Sequence, residues 1–427
     1  MIKFFFTIMI LGQIIMAATV QYIETNGIKV PIIYESDKRL PLVTMQFIFT
    51  NSGSITDTTK AGLAKLSAKV LNEGTKKLGS NGFAQELESK AIHISAHCGN
   101  ETFVIEVGSL KEEFIQALSY FQALLNDPNI DDLTIDKVKT MTLGGLSRKE
   151  NDFDYIASNK LKSLLYQGSV AGEPSSGTQE SINSIQTQDI KKFIAKHIVS
   201  SRLIVVLGGD INLDKAKIKI KKIINSLSIG ESEDVKFYKT LKKPQESVLK
   251  RETQQAYIYF GSPYNMKSGD KDYYKARVAT FILGTGGFGS RLMEEIRVKR
   301  GLAYSAYARV NISKSKSYFS GYLQTKLDSL DEAKTTVNKV ISKFVKKGVT
   351  QAELDQTKKF LLGSEPLRVE SMNQRLNRTF MEFYKGEELG SSSKELKMIK
   401  NLTLDELNVF IKKHSEINDL SYAIVTK

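Results

Sequence analysis

Hydrophobic residues along the chain follow strand and helix periodicities in a series that occurs twice. In the first half, an apolar strand over residues 44–50 is followed by a turn-rich stretch and then by a helix over residues 61–71. In the second half, a strand over residues 256–261 is followed by a turn and by a helix over residues 273–283. The two series are related by an offset of roughly 210 residues. The pattern therefore predicts that one structural unit is present twice.

The remainder of each half continues the repeat. A short helix and a pair of alternating strands come next in both halves, and two helices and a closing strand follow. The predicted segments are 83–90, 92–107, 111–125, 133–146 and 203–208 in the first half, and 290–297, 304–324, 330–346, 352–362 and 420–425 in the second. Strand pairs mixed with helices predict an α+β fold with two homologous domains, each an antiparallel-rich sheet with helices on one face.

The composition along the chain predicts where these domains begin and end. Residues 1–18 contain one lysine, an apolar run and two closing alanines. This is the pattern of a secretory signal peptide and is too short for the ~20 residues that span a bilayer, although a buried helix or an uncleaved anchor is the alternative. Residues 231–244 are charged and turn-rich, as in a linker. We therefore predict domains over 19–230 and 245–427 in an exported protein without a transmembrane segment after signal removal.

Composition and charge narrow the function classes. The chain is 41% hydrophobic and 25% charged, as in folded globular proteins. Its net charge of +14 comes from lysines that are spread through amphipathic segments such as 215–222. Export and the absence of an arginine-rich arm favour a solvated basic surface over a nucleic-acid partner, with attraction to acidic peptides or to an anionic membrane left open. Cys98 is the only cysteine, so no internal disulfide can form.

Two patterns resemble ligand sites but lack the required context. Gly284, Gly286 and Gly289 fit the dinucleotide-binding fingerprint, which needs a preceding parallel strand, whereas a helix is predicted here. His93 and His97 are four residues apart in an alternating segment, so their Cα atoms would be about 13 Å apart. That distance is too long for easy ligation of one metal ion. We predict no nucleotide site and two exposed strand histidines.

Longer segments carry a family resemblance. The second half resembles the C-terminal domain of the pitrilysin/insulinase family of zinc peptidases, especially its processing-peptidase group, through EIRVKRGLAY at 295–304, GTGG at 284–287 and SRL at 290–292. The first half resembles the N-terminal domain at 177–182 and at 203–210. The resemblance covers nearly all of the chain after residue 18. It implies a half clam shell composed of two homologous domains.

The zinc-binding residues of the active family members are absent. Those members carry H-x-x-E-H on the first helix, in which two histidines bind zinc and the glutamate polarises water. At the matching positions this chain has Lys65 and Lys69 for the histidines and Ala68 for the glutamate. The third ligand, a glutamate on a later helix, matches Gly144 or Gly145. Two ammonium groups repel a divalent cation, so the resemblance implies no zinc in this chain.

The residues that face the zinc in active members are retained. There an arginine and a tyrosine seven residues later hold the substrate backbone and help to stabilise the oxyanion, and Arg297 and Tyr304 match this pair. The resemblance also assigns substrate binding to a glycine-rich loop, which is shorter here than in the non-catalytic mitochondrial subunit. Its glycines are Gly284, Gly286, Gly287 and Gly289.

The resemblance implies a non-catalytic, substrate-binding subunit of an exported heterodimeric zinc endopeptidase, periplasmic if the source is a Gram-negative bacterium. A catalytic subunit of the same family would supply zinc and the general base, and this chain would supply Arg297 and Tyr304 for the hydrolysis of unfolded peptides. The alternative is a proteolytically inactive scaffold or peptide-binding protein of the same fold. A third reading, a zinc protease in its own right, is disfavoured by the loss of every ligand.

Overall fold

The computed structural model describes residues 18–427, so the predicted signal segment 1–18 lies outside the described residues except for Ala18. The strands are β1 (Thr19–Thr25), β2 (Ile28–Ser36), β3 (Leu42–Thr50), β4 (His93–Cys98), β5 (Thr102–Leu110), β6 (Leu203–Gly209), β7 (Glu246–Lys250), β8 (Gln255–Pro263), β9 (Ala303–Ile312), β10 (Ser317–Lys326) and β11 (Ser421–Thr426). The helices are α1 (Leu63–Leu71), α2 (Gly79–Glu88), α3 (Phe114–Asn126), α4 (Asp132–Lys149), α5 (Phe153–Leu165), α6 (Gln179–Ser184), α7 (Thr187–His197), α8 (Leu213–Ser226), α9 (Tyr273–Thr280), α10 (Arg291–Met293), α11 (Leu330–Lys347), α12 (Gln351–Gly363), α13 (Met372–Lys385), α14 (Ser391–Asn401) and α15 (Leu404–Lys413). Two π-helical turns, Phe281–Thr285 and Glu294–Val298, extend α9 and α10.

The first half contains a six-stranded mixed sheet with the order β1-β2-β6-β3-β5-β4. Only the β2–β6 pair is parallel, with Ile32 opposite Val205. The central strand β3 buries Phe47 against α3, where the rings of Phe47 and Phe121 meet edge to face at 4.9 Å. Strands buried on both faces are expected to be almost continuously apolar, as the Phe-Ile-Phe run at 47–49 is.

The second half repeats this design with five strands in the order β7-β11-β8-β10-β9. The β7–β11 pair is parallel and the other neighbours are antiparallel. The predicted α+β class with two antiparallel-rich sheets is confirmed. Residues 227–245 contain no helix and no named strand, but the predicted domain limits at 230 and 245 stay predictions.

The two halves exchange one helix each. Helix α13, from the second half, covers the outer face of the first sheet, where Leu376 and Phe380 pack on Ile48 and Val206. Helix α5, from the first half, covers the second sheet, where the Leu161 side chain packs in one cluster with Tyr318 and Ala423. Both faces of each sheet are therefore covered. The prediction of helices on one face is true only of the helices that belong to the same half.

Buried polar contacts reinforce this exchange. Arg375 on α13 donates from Nε to Glu35 Oε1 at 2.8 Å, and Glu35 is 2% exposed. Tyr384 lies near the end of the same helix, and its hydroxyl donates to Glu101 Oε2 at 2.8 Å. The backbone N–H of Ser315 donates to the other carboxylate oxygen of Glu101 at 2.7 Å. These contacts stabilise carboxylates that burial would otherwise destabilise, and only Glu35 Oε2 of the two carboxylates is left without a partner among the described residues.

Within residues 18–427, no helix combines the length and the apolar character that a bilayer crossing requires.

Candidate functional site

Helix α1 carries Lys65, Ala68 and Lys69, which are predicted to stand at the zinc and general-base positions of the resembled family. Its start is fixed by Asp57, whose carboxylate accepts from the N–H groups of Gly62 at 3.1 Å and Ala64 at 3.0 Å. These bonds satisfy amides that have no partner inside the helix. Lys65 and Lys69 are one helical turn apart and therefore lie on one side of the helix. Ala68, at the position of the general base, is 3% exposed and belongs to the core.

The two lysine amines are held by neutral hydroxyl groups. Lys65 Nζ donates to Ser175 Oγ at 2.8 Å and to Ser176 Oγ at 3.4 Å. Lys69 Nζ donates to Thr142 Oγ1, on α4, at 2.8 Å. Burial lowers the pKa of both lysines, and the positive charge of Lys149 lowers each pKa further. At the predicted zinc positions, hydrogen bonds therefore join α1 to its neighbours.

The matching segment of α4 supplies another cation instead of a carboxylate. A Cβ atom built on Gly144 or on Gly145 would lie 3.9 Å from the Arg148 guanidinium. Across residues 18–427, no group of three His, Cys, Asp or Glu side chains could hold a metal ion. Amines, a guanidinium and hydroxyl groups are not zinc ligands at neutral pH. The residues at this position do not fit a zinc ion.

The two histidines of the edge strand β4 are placed as predicted. His93 and His97 are both exposed, and His93 Nε2 lies 3.1 Å from Ser95 Oγ. The strand order puts β4 at the edge of the first sheet. The side-chain amide of Asn72, just after α1, closes part of that edge by accepting from Ala96 N at 2.7 Å and donating to Ala96 O at 2.9 Å.

Arg297 and Tyr304, which the sequence singled out, lie side by side. Arg297 is on the π-helical turn Glu294–Val298, and Tyr304 is the second residue of β9. The Arg297 Cζ atom is 4.2 Å from the centroid of the Tyr304 ring. The same atom is 4.6 Å from the centroid of the Phe288 ring. The guanidinium therefore contacts two aromatic rings, an arrangement that cation–π attraction stabilises.

The two aromatic residues of this group face solvent, and Arg297 is half-buried. Tyr304 is 81% exposed and Phe288 is 64% exposed. In the described part of the chain, the Arg297 guanidinium has ring contacts and no ion pair, so its N–H groups are free for a ligand. A guanidinium held flat in this way can donate to a peptide carbonyl or to a carboxylate. Large exposed aromatic residues around a permanent charge are typical of recognition sites.

The glycine-rich loop places Phe288 on Arg297. Its first glycine, Gly284, lies against the edge of β9, where an added Cβ atom would come 2.5 Å from Ala308 N. Gly287 has φ +61°, in the left-handed region that favours glycine. The segment before the loop is helical, as predicted, so the fingerprint lacks the strand that a dinucleotide site needs. Gly286 and Gly289 belong to the same turn, which carries Phe288.

The edge strands of the two halves, β4 and β9, are contacted in different ways at corresponding positions. Asn72 contacts Ala96 in the first half as Gly284 contacts Ala308 in the second, and both pairs are related by the offset of roughly 210 residues. A side chain closes the edge strand in one half, and a close backbone approach closes it in the other. Sequence reasoning missed Phe288 and the hydroxyl partners of the lysines, because a single aromatic residue or serine carries no periodic signal.

A buried carboxyl beside α1 makes the stability of this region depend on pH. Asp57 lines a cavity of about 50 Å³ together with Lys162 and Lys316. Burial raises the pKa of Asp57 from 3.8 to about 7, against the effect of its two N–H donors and of Lys65. Between these two pH values the folded chain holds a proton that the unfolded chain has lost, so the free energy of unfolding falls as the pH rises.

We expect Asp57→Asn to remove this dependence. Between pH 4 and pH 7, the free energy of unfolding of the wild-type chain should fall by at least about 1 kcal/mol relative to that of the variant. Urea unfolding at several pH values measures this difference. Asp131→Asn is the control, because Asp131 caps α4 and its pKa is lowered. For Asp131 the pH dependence should have the opposite sign: the wild-type chain should lose stability relative to Asp131→Asn as the pH falls. A constant difference between wild type and Asp57→Asn would contradict the assignment.

Comparison with known protein families assigns both halves. Residues 32–179 match the family described as insulinase (peptidase family M16), and residues 184–361 match the peptidase M16 inactive domain. The pitrilysin/insulinase resemblance is therefore confirmed over most of the described chain.

Individual proteins agree with this assignment. The chain is 44% identical over 410 residues to the non-peptidase homolog YmxG of Helicobacter pylori, with 96% of this chain and 95% of that protein covered. It superposes on the peptidase M16 inactive domain from Pseudomonas fluorescens with a TM-score of 0.86, at 23% identity and over 95% and 97% of the two chains. The periplasmic protease PqqL from Escherichia coli gives a TM-score of 0.77 at 14% identity, over 96% of this chain and 48% of that one. The chain belongs to the M16, or insulinase, family of peptidases and is a homologue of its inactive type, without the family's zinc-binding residues.

Proposed function

We propose that this chain is the non-catalytic, substrate-binding subunit of an exported heterodimeric zinc endopeptidase. The observation that carries the proposal is the exposed group of Arg297, Tyr304 and Phe288, which persists although the zinc positions hold Lys65 and Lys69. A purely structural role does not account for a guanidinium without an ion pair that contacts two exposed aromatic rings.

In this proposal a second M16 chain with an intact H-x-x-E-H sequence supplies the zinc and the general base. This chain supplies donors for the peptide. Arg297 keeps its charge at any working pH and donates to the carbonyl oxygen, and the Tyr304 hydroxyl adds a neutral donor. Donors that are fixed before the reaction stabilise negative charge as it develops on that oxygen. The zinc chemistry itself belongs to the partner.

The similar proteins support the location and the assembly. PqqL is a periplasmic protease, and this chain matches about half of its length. A working unit of two such chains accords with that ratio, and export accords with the predicted signal at residues 1–18. The substrates in this proposal are unfolded peptides enclosed between the two chains.

Reconstitution tests the proposal. The purified chain is mixed with an M16 chain from the same organism that has the intact zinc sequence, and the complex is isolated by size-exclusion chromatography with light scattering. We expect a one-to-one complex that hydrolyses a fluorogenic peptide at least about 100-fold faster than the zinc chain alone. Elemental analysis should find zinc in the partner and in the complex. Unchanged hydrolysis on addition of this chain, or stoichiometric zinc in this chain alone, contradicts the proposal.

The similarity to a non-peptidase homolog favours a second candidate, a scaffold or peptide-binding protein of the same fold. In that case the isolated chain binds peptides or a partner protein, and hydrolysis by any M16 chain is independent of it. The reconstitution experiment separates the two, because only the first candidate predicts a gain in hydrolysis.

A further inference from the structure

A cationic groove lies beside the Arg297 group in the second half. Its volume is about 770 Å³, within the size range of ligand sites. Phe288 lines the groove and also stacks on Arg297, so the groove is continuous with the candidate peptide site. Six basic and three acidic side chains line it. They are Arg291, Lys299, Arg300, Lys339, Lys343, Lys347, Glu294, Glu295 and Glu353.

The acidic side chains are largely engaged by the basic residues of one wall. Glu353 forms two bonds with the Arg291 guanidinium, at 2.6 Å and 2.8 Å. Glu295 accepts from Lys299 at 2.8 Å and from Arg300 at 2.5 Å. The charge of this wall is therefore nearly balanced by its own ion pairs. The opposite wall, formed by α11, has no such balance.

Three lysines of α11 face the groove without a partner. Lys339, Lys343 and Lys347 are successive at intervals of four residues, so they lie on one side of the helix. All three are exposed, and within residues 18–427 none of their amines is in an ion pair or a side-chain hydrogen bond. Lys346 joins them around an adjoining depression of about 460 Å³.

The helix dipole does not account for this row. Lysine in the last turn of a helix is favoured by the partial negative charge there, and Lys347 is the last residue of α11. The effect decays within one turn, and Lys339 lies two turns earlier. Like charges four residues apart repel one another. The dipole therefore leaves the row unexplained, and its position along the groove makes the row available to anions from outside the chain.

The shape of the groove favours a peptide as the source of those anions. Its floor contains Val340 and Val349, which are 6% and 4% exposed. An apolar floor between charged walls fits the methylene groups and carboxylates of glutamate and aspartate side chains. A concave site that recedes from the surface is poorly suited to the plane of a membrane.

We infer that this groove binds acidic side chains of the peptide whose backbone contacts Arg297 and Tyr304. This inference rests on the proposed peptide-binding function and specifies its substrate class. The groove selects peptides that carry carboxylates a few residues from the segment held at Arg297.

Fluorescence anisotropy with the full chain tests the inference. The probes are a labelled peptide that contains several glutamates and the same peptide with glutamine in their place, at an ionic strength of about 0.15 M. We expect the glutamate peptide to bind about tenfold more tightly. The triple variant Lys339→Gln, Lys343→Gln, Lys347→Gln should lose this preference and bind the glutamine peptide as wild type does.

A matched variant removes the same charge elsewhere. Lys215→Gln, Lys219→Gln, Lys222→Gln alters exposed lysines of α8, in the first half, and should keep the preference for glutamate. Equal binding of the two peptides by wild type overturns the inference, as does an equal loss in the two triple variants. Phosphatidylglycerol vesicles that bind wild type but not the α11 variant, while the peptides bind equally, would replace the peptide with a membrane as the ligand.

Failure of the proposed function has a different signature. If wild type prefers the glutamate peptide but the reconstituted complex gains no hydrolysis, acidic-peptide binding in the groove is supported and the role in hydrolysis is rejected. If the complex is active and the two peptides bind equally, the role in hydrolysis is supported and acidic-peptide binding in the groove is rejected.

Discussion

Arg297→Ala is expected to lower the rate at which the reconstituted complex hydrolyses a neutral peptide by about 100-fold to 1,000-fold, the cost of removing one preorganised donor to an oxyanion. The guanidinium is held by contacts with the rings of Phe288 and Tyr304 at 4.6 Å and 4.2 Å, so it needs little reorganisation as charge develops. Because the donor acts mainly on the transition state, kcat should fall more than KM rises.

The control for this prediction is Arg251→Ala. Arg251 is an exposed arginine at the start of the second half, outside the candidate site. Its loss removes the same charge and should leave hydrolysis unchanged. Size-exclusion chromatography must show that the Arg297→Ala chain still forms the complex. A complex that contains this variant and hydrolyses the peptide at the wild-type rate would exclude Arg297 from the composite site.

Arg375→Met is expected to lower the free energy of unfolding by about 3–5 kcal/mol, because it leaves the Glu35 carboxylate buried without its cation. Glu35 is 2% exposed, and Arg375 reaches it from α13, which belongs to the other half of the chain. Burial raises the pKa of Glu35, and the bonds from Arg375 act against that rise. Urea unfolding at neutral pH measures the loss as a shift of the midpoint.

Two further variants identify the cause. In the double variant Glu35→Gln, Arg375→Met no buried charge is left, and part of the lost stability should return. Arg39→Met removes an exposed partner of Asp37 and should have a small effect. If the double variant is no more stable than Arg375→Met alone, the loss comes from packing of the arginine side chain and not from the buried charge.

The parts of the fold that the sequence predicts are those in which local pattern and burial coincide. The alternation over 92–107 predicted the β4–β5 pair because alternate residues, such as Phe103, Ile105 and Val107, are fully buried in the core of the first half. The internal repeat fixed the order of the elements, because the same pattern in both halves makes a chance match improbable. Arg297 and Tyr304 were found through the family resemblance of the segment around them.

The rest depends on contacts between distant segments. Leu376, Phe380 and Tyr384 form an apolar stripe on α13, but a stripe shows only that a face is covered and not which sheet covers it. The stacking of Phe288 depends on the π-helical turn that orients Arg297, and a turn of five residues leaves no periodic mark. The hydroxyl groups that bind Lys65 and Lys69 come from Ser175 and Thr142, more than seventy residues away along the chain.

The exchange of α5 and α13 also limits how a substrate could enter. Any hinge between the two halves of this chain would have to separate an apolar helix from each sheet and break the buried Arg375–Glu35 pair. The chain should therefore move as a single rigid shell. In the heterodimer proposed above, the chamber would therefore open at the boundary between the two chains, and the lifetime of their association would set how fast peptides are admitted and products released.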